Sequence, residues 1–155
     1  MTTAIELTNG ERTFVDHMGA FYHRLIPGTP LGQIMGLLLV ADRPIGIEEI
    51  ADTLVVPLPE VTAFMPAFIQ MGLVKPIPDT FGQRYQMRPD AWVARLQAGI
   101  DMMAELQGLA DEGLAGLGDG KVTARQRLLD MKAFFDVVAQ ETPAMMDRWH
   151  QQRAA

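Results

Sequence analysis

The fold is decided by residues 61–74, which read Val61-Thr62-Ala63-Phe64-Met65-Pro66-Ala67-Phe68-Ile69-Gln70-Met71-Gly72-Leu73-Val74. Val61, Met65 and Phe68 recur at spacings of four and three, so they predict a helix with one buried face. Gly72 ends this helix as the chain turns into extended structure. Two short apolar helical segments precede it, and a strand–turn–strand follows it. This order predicts a winged helix-turn-helix over residues 30–90.

Two further helices and one extended segment are predicted ahead of this helix. Thr29 and Pro30 suit the N-cap and the first position of the earlier helix, whose buried stripe comprises Leu31, Ile34, Leu37 and Leu38. Segment 45–47 is long enough for a single strand edge only. The other helix opens with Glu48 and Glu49, whose carboxylates are favoured at the positive end of a helix dipole. We interpret them as surface acids rather than as an acid–base pair.

The wing is predicted over residues 73–87, with its tip at 78–82. Pro66 lies in the interior of the preceding helix, where proline removes one backbone hydrogen bond and costs about 3 kcal/mol. We therefore expect a kink near Thr62 or a shortened helix. Phe64 is either core beneath the wing or part of an outward apolar surface.

A helix is predicted before the winged region. Thr8 and Glu11 have capping-box spacing, and an apolar stripe follows at Phe14, Met18, Phe21 and Leu25. This stripe packs against the C-terminal helices, across a dimer, or both. We expect one domain over residues 1–155, with helical dimerisation regions at 7–26 and 90–152.

The C-terminal third is predicted to be helical. Asp90 caps a long helix that ends in the glycine-rich run 108–120, which we interpret as a flexible connector because the GxGxxG order of a phosphate loop is absent. Residues 123–126 resemble a second capping box. Residues 142–143, Thr-Pro, predict the start of a short last helix. The eleven methionines fill core gaps or line a pocket for an apolar effector.

Composition excludes several classes of protein. The chain has 155 residues, 48% of them hydrophobic, and a net charge of −6, which argues against a nonspecific polyanion binder. It lacks cysteine, so thiol catalysis and thiolate metal sites are excluded. His17 and His23 are six residues apart, which does not suit a shared metal site on one helix face. No apolar run approaches membrane-spanning length, and residues 1–6 lack signal-peptide features. We expect a cytoplasmic protein that is not an enzyme and has no cofactor or metal.

Three pieces of the sequence resemble the MarR superfamily of winged-helix transcription regulators, and most closely its GbsR-like branch. They are Gly32-Gln33-Ile34-Met35-Gly36-Leu37-Leu38-Leu39, Arg43-Pro44-Ile45-Gly46-Ile47-Glu48-Glu49-Ile50-Ala51 and Gly72-Leu73-Val74. The resemblance implies a homodimer built from the first and last helices. It also implies that the fourth helix enters the major groove, with the wing against the neighbouring backbone or minor groove. A small effector often modulates such dimers.

The DNA-facing segments depart from the family pattern. Residues 57–60 read Pro-Leu-Pro-Glu at the helix entry, Pro66 and Ala67 stand where arginine is usual, and Asp79-Thr80-Phe81-Gly82 replaces a basic wing tip. Residues 30–90 hold four Lys/Arg and seven Asp/Glu, a balance of −3.

We expect a regulator that binds duplex DNA, since winged helices supply base-edge and phosphate contacts. The predicted contacts to bases are Thr62 and Gln70, and the predicted contacts to the backbone are Lys75, Gln83, Arg84 and Arg88. The alternative is a winged-helix dimer with weak or lost DNA binding that serves as a protein-partner or ligand-sensing module.

Overall fold

The structure, a computed structural model, describes residues 3–155, so the first two residues of the predicted single domain lie outside the described part. Over that range the elements are α1 (Asn9–Leu25), α2 (Leu31–Val40), α3 (Ile47–Leu54), α4 (Leu58–Gln70), β1 (Val74–Asp79), β2 (Gly82–Met87), α5 (Ala91–Gly116) and α6 (Val122–Ala154). This mainly helical order with one hairpin confirms the predicted winged-helix class. The chain divides into two compact units, Met1–Trp92 and Val93–Ala155. Within residues 3–155 no helix is long and apolar enough to cross a membrane.

The core of the first unit joins the three helices of the helix-turn-helix to the wing. Its largest fully buried side chains are Phe68, Ile34, Leu37, Ile45, Ile50, Leu73, Val61 and Val74. The predicted inward face of α4 is confirmed, because Val61, Met65 and Phe68 are all buried. Phe64 is half-buried and packs against this core, which supports the core interpretation of that residue.

Helix α1 lies against α2 at two glycines. A Cβ added at Gly32 would overlap the carbonyl oxygen of Met18, and one at Gly36 would lie 3.2 Å from the Cα of Val15. The absence of these side chains lets α1 approach closely, and it does so through Val15, Met18 and Tyr22. Three members of the predicted stripe are exposed in the single chain, by 39%, 48% and 65%: Phe14, Phe21 and Leu25. Their expected cover, the C-terminal helices or a second subunit, stays a prediction.

The wing is an antiparallel hairpin in which Val74 pairs with Met87 and Asp79 with Gly82. Gly82 has a φ of 131°, a backbone conformation that favours glycine, and it closes the two-residue tip. The amide of Ile45 donates to the carbonyl of Tyr85 over 2.9 Å, and the reverse bond is 2.7 Å. This isolated bridge confirms the single strand edge predicted at 45–47.

Three helix starts and one helix interior can be compared with the predictions. The capping box of Thr8 and Glu11 is confirmed. Pro30 occupies the N-cap of α2 rather than its first position, and the hydroxyl of Thr29 instead donates to the carbonyl of Ile26. Helix α4 begins two residues earlier than predicted and continues through Pro66 for 13 residues. The expectation of a shortened helix is wrong, since 13 residues is an ordinary helix length.

The second unit contains two long helices with fewer breaks than predicted. Helix α5 continues through much of the glycine-rich run, which leaves a connector of residues 117–121. The predicted second capping box is wrong, because α6 starts at Val122 with no side-chain cap at Lys121. The restart predicted at residues 142–143 is also wrong, since α6 passes through Pro143.

Contacts between α5 and α6 lie beside the glycine-rich run of α5. The amide nitrogen of Gln107 donates to the carbonyl of Lys132 over 3.1 Å and to the carboxylate of Asp136 over 2.7 Å. Lys132 also forms an ion pair with Asp111. A glycine inside a helix costs only about 1 kcal/mol, so tertiary contacts of this kind are able to offset it.

Candidate nucleic-acid interface

Helix α4 has one exposed face that carries almost no charge. We call Thr62, Pro66, Ile69 and Gln70 the outer face of α4, because their spacings of four, three and one place them on one side of the helix and all four are exposed. The hydroxyl of Thr62 donates to the carbonyl of Leu58 over 2.9 Å. Glu60 is the sole charged residue of α4.

A groove of about 440 Å³ separates the outer face of α4 from the wing. It brings together three of the six predicted contact residues, Thr62 and Gln70 from the helix and Gln83 from β2. The remaining lining is mostly apolar and includes Ile69 and Tyr85. The side-chain oxygen of Gln83 accepts a hydrogen bond of 3.3 Å from the hydroxyl of Tyr85.

Arg84 lies outside this groove and is held by two carboxylates. Its Nε lies 2.6 Å from Oδ2 of Asp79, and its Nη1 lies 2.6 Å from Oε2 of Glu49. The hydrogen bond from Arg84 lowers the pKa of the Asp79 carboxyl, and the same bond raises the pKa of the arginine. The predicted phosphate contact is therefore already neutralised within the protein.

Glu49 is the centre of this network. Its Oε1 lies 2.6 Å from Nη2 of Arg43, and its Oε2 accepts the amide of Gly46 over 2.9 Å. The hydrogen bond from Arg43 is the largest influence and holds the pKa of Glu49 below its ordinary value, with smaller contributions from Gly46 and the charge of Arg84. Its side chain is only 16% exposed. The interpretation of Glu49 as a surface acid is wrong, because it connects α3 to the wing.

Arg88 and Lys75 lie near the base of the wing. Arg88 donates to both carboxylate oxygens of Asp90, over 2.9 and 2.8 Å, and these bonds lower the pKa of Asp90. Lys75 is exposed on β1. Among the described residues of the winged region it is the one cation without an ion pair. Neither residue lines the groove beside α4.

The charge distribution limits how this surface attracts DNA. Three of the four cations in residues 30–90 are engaged by carboxylates, and the wing tip carries Phe81, which is 92% exposed. Affinity for DNA depends largely on neutralising phosphates, and most cations of this region are already neutralised by carboxylates of the protein.

Sequence reasoning missed Ile69 and Tyr85 as parts of the groove lining, and it missed Glu49 as the link between α3 and the wing. Ile69 had a usable signal, since it lies seven residues from Thr62 and so shares its helix face. The contact between Glu49 and Arg84 joins residues 35 apart, and no local pattern marks it.

Comparison with known proteins identifies the family. Residues 90–152 match the family model described as MmpR5-like MarR family transcriptional regulator. The chain is 32% identical over 122 residues to the HTH-type transcriptional regulator MmpR5 of Mycobacterium tuberculosis, which covers 77% of this chain and 74% of that relative.

A solved structure agrees with this match. A crystal structure of a transcriptional regulator superposes with a TM-score of 0.83 at 29% identity, covering 92% of this chain and 99% of that one. The MarR resemblance is thereby confirmed, and the matched family model is MmpR5-like where the sequence suggested the GbsR-like branch. The family is one of regulators and not of enzymes, as predicted. This chain belongs to the MarR family of transcriptional regulators.

Proposed function

We propose that this protein is a cytoplasmic homodimer that regulates transcription by binding duplex DNA through α4 and the wing. The observation that carries the proposal is the exposed outer face of α4, which borders the groove beside the wing in a chain of the MarR family. In a helix-turn-helix, the second helix of the pair is the one that enters the major groove. An uncovered face on that helix is what groove entry requires.

The six predicted contact residues divide by chemistry in this proposal. Thr62 and Gln70 contact base edges, while Gln83 lies across the groove from them and contacts the backbone. Lys75 supplies a cation directly. Arg88 exchanges Asp90 for a phosphate, and Arg84 exchanges Asp79 for a phosphate while it keeps its bond to Glu49. This is feasible because the Arg88–Asp90 and Arg84–Asp79 pairs are partly exposed and so contribute little.

Homodimerisation is supported by apolar side chains that are left uncovered in each unit. Phe21 and Leu25 of α1 are exposed by 48% and 65%. In α6, Phe134, Val137 and Met145 follow at spacings of three and eight, which place them on one helix face, and they are exposed by 63%, 56% and 44%. Large exposed apolar surfaces of this kind mark interaction sites.

The proposal includes modulation by a small apolar effector. Met103, Met131 and Met146 are half-buried in the second unit. Methionine side chains adapt to varied ligand shapes. An effector that binds the folded protein raises its melting temperature in proportion to the logarithm of its concentration. A panel of apolar small molecules is therefore screened by thermal shift, and those that bind are then tested for release of bound DNA.

Binding to duplex DNA at two salt concentrations tests the central claim. Fluorescence anisotropy with a labelled mixed-sequence duplex is measured at about 50 and 200 mM salt, where phosphate-dependent binding weakens steeply. Asp79 lies beside the wing tip, where it pairs with Gly82, so its replacement by Asn is expected to tighten binding. Absence of binding at both concentrations contradicts the proposal.

The second candidate function is a winged-helix dimer that binds a protein or a ligand in place of DNA. Phe81 favours it, because a 92% exposed aromatic side chain at the wing tip suits an apolar partner surface. A chain that fails to bind DNA at low salt, and whose Phe81→Ser variant loses a captured protein partner, fits this function.

A further inference from the structure

We propose that the outer face of α4 selects A·T base pairs by contacting thymine methyl groups in the major groove. The inference rests on the proposed DNA binding and specifies which base pairs that surface takes. It follows from the chemistry that α4 offers to a base edge and from the chemistry that it lacks.

Guanine has no suitable partner on α4. Its major-groove edge presents two acceptors, N7 and O6, which are usually read by a bidentate arginine or lysine. Helix α4 holds neither residue, and its one charged side chain, Glu60, is itself an acceptor. Neither wing cation, Arg84 or Lys75, lines the groove beside α4, and Arg84 is also bound by Asp79 and Glu49.

The outer face of α4 offers methyl and methylene groups instead. The hydroxyl proton of Thr62 is already donated to the carbonyl of Leu58, so the side chain has a methyl group and an acceptor left to offer. Pro66 exposes a saturated ring, and the side chain of Ile69 is 38% exposed. Thymine is the one base that carries a methyl group in the major groove. An apolar surface there gains from thymine and from no other unmodified base.

Gln70 supports the same base pair by a different contact. Its side-chain NH2 donates to N7 of adenine while its carbonyl oxygen accepts from N6, which makes a bidentate pair. Since adenine pairs with thymine, the apolar contacts and the amide contact agree on A·T. Gln70 and Thr62 line one groove, and eight helical residues separate them by about 12 Å, so they contact different base pairs of one half-site.

Replacement of thymine by uracil tests the methyl contact directly, because uracil differs from thymine only by the lack of that methyl group. Duplexes are first selected by the full-length protein from a randomised pool of about 24 base pairs, long enough for two half-sites one helical turn apart. The best duplex is then synthesised with deoxyuridine in place of thymidine. Loss of one buried methyl weakens binding about fourfold, so one thymine in each half-site gives roughly a 15-fold loss.

Thr62→Ser identifies the residue responsible. Serine retains the hydroxyl and its bond to Leu58 but lacks the methyl group, so the preference for thymine over uracil is expected to fall about fourfold for each half-site. Thr13→Ser is the matched control. Thr13 is also an exposed helical threonine, and its hydroxyl donates to the carbonyl of Asn9 over 2.9 Å. That variant is expected to keep the full preference.

The outcomes separate this inference from the proposed function. Selected duplexes that bind with equal affinity when they contain thymine or uracil overturn the methyl contact and leave DNA binding intact. Selection of guanine-rich half-sites overturns it as well. Failure to enrich or bind any duplex overturns the proposed function, and the inference falls with it.

Discussion

Arg84 on the second wing strand donates through Nη1 to Oε2 of Glu49 at the start of α3, over 2.6 Å. Glu49 also binds Arg43 and the amide of Gly46, and Arg84 also binds Asp79. These alternating charges tie α3 to both strands of the wing. The carboxylates that fix the wing are therefore the same groups that keep its arginine from phosphate.

Glu49→Gln is expected to destabilise the protein by about 2 kcal/mol, because a partly buried carboxylate loses charge-assisted hydrogen bonds to two arginines. Urea denaturation at pH 7, followed by circular dichroism, measures the change. Glu48→Gln is the matched control, since Glu48 is the exposed neighbour and surface substitutions usually change stability by no more than about 0.5 kcal/mol. Equal effects of the two variants would contradict this assignment.

The same network is expected to make the free energy of unfolding depend on pH in the acid range. The pKa values of Glu49 and Asp79 are lowered in the folded protein. Their contribution is therefore present above the ordinary carboxyl pKa of about 4, and it is lost as the pH falls through the lower folded values. Urea midpoints are measured from pH 5 to pH 3, a range of about one unit on each side of that ordinary value. As the pH falls, the midpoint of the wild type is expected to drop more steeply than that of Glu49→Gln.

Asp79→Asn is expected to strengthen DNA binding. The substitution removes a negative charge from the wing and frees Nε of Arg84. Each added phosphate contact steepens the slope of log K against log salt by about 0.9, so one contact in each subunit of the proposed dimer steepens it by about 1.8. Anisotropy titrations at several salt concentrations measure the slope. The control is Asp119→Asn, which changes the net charge by the same amount but lies in the connector of the second unit. An equal gain in DNA affinity for this control would show that Asp79→Asn acts only through the total charge of the protein.

Gly32→Ala is expected to destabilise the first unit by about 3 kcal/mol, because the new methyl overlaps the backbone of α1 at Met18 and overpacking costs this much. Gly108→Ala is the opposite case. Nothing lies within 4 Å of a Cβ there, and the site is inside α5. Alanine is expected to stabilise that helix by about 0.5–1 kcal/mol. Thermal unfolding of both variants tests the pair, and a neutral Gly32→Ala would show that α1 moves freely.

The sequence predicted the winged region well where the pattern was local. The spacing of Val61, Met65 and Phe68 identified the buried face of α4, and the capping box at Thr8 identified the start of α1. Both signals come from residues three or four apart in the sequence, so they can be recognised without knowledge of tertiary contacts. The β-bridge of Ile45 was also predicted, because segment 45–47 is too short to form more than a single strand edge.

The remaining features depend on contacts that are distant in sequence. The packing of α1 on α2 was not predicted, because the glycines of α2 that permit it carry no hydrophobic signal. Helix α6 passes through Pro143, a residue that local propensity treats as a break. Of the predicted contact residues, Arg84 and Arg88 were chosen by charge alone. Glu49, one partner of Arg84, is 35 residues away and has no local signal, whereas Asp79 and Asp90 are only five and two residues from the arginines that they bind.

Phe134→Glu is expected to dissociate the proposed homodimer. Phe134 is 63% exposed and shares a helix face with Val137, so a dimer that covers this face would bury the new carboxylate without a partner. A hot-spot loss of about 3 kcal/mol raises the dimer dissociation constant more than 100-fold. Analytical ultracentrifugation measures this shift, and circular dichroism verifies the fold.

Gln140→Glu adds the same charge at another exposed site on α6 and should leave the dimer intact. A wild-type protein that sediments as a monomer at micromolar concentration would contradict the dimer itself, and DNA affinity unchanged by Phe134→Glu would separate dimerisation from DNA binding.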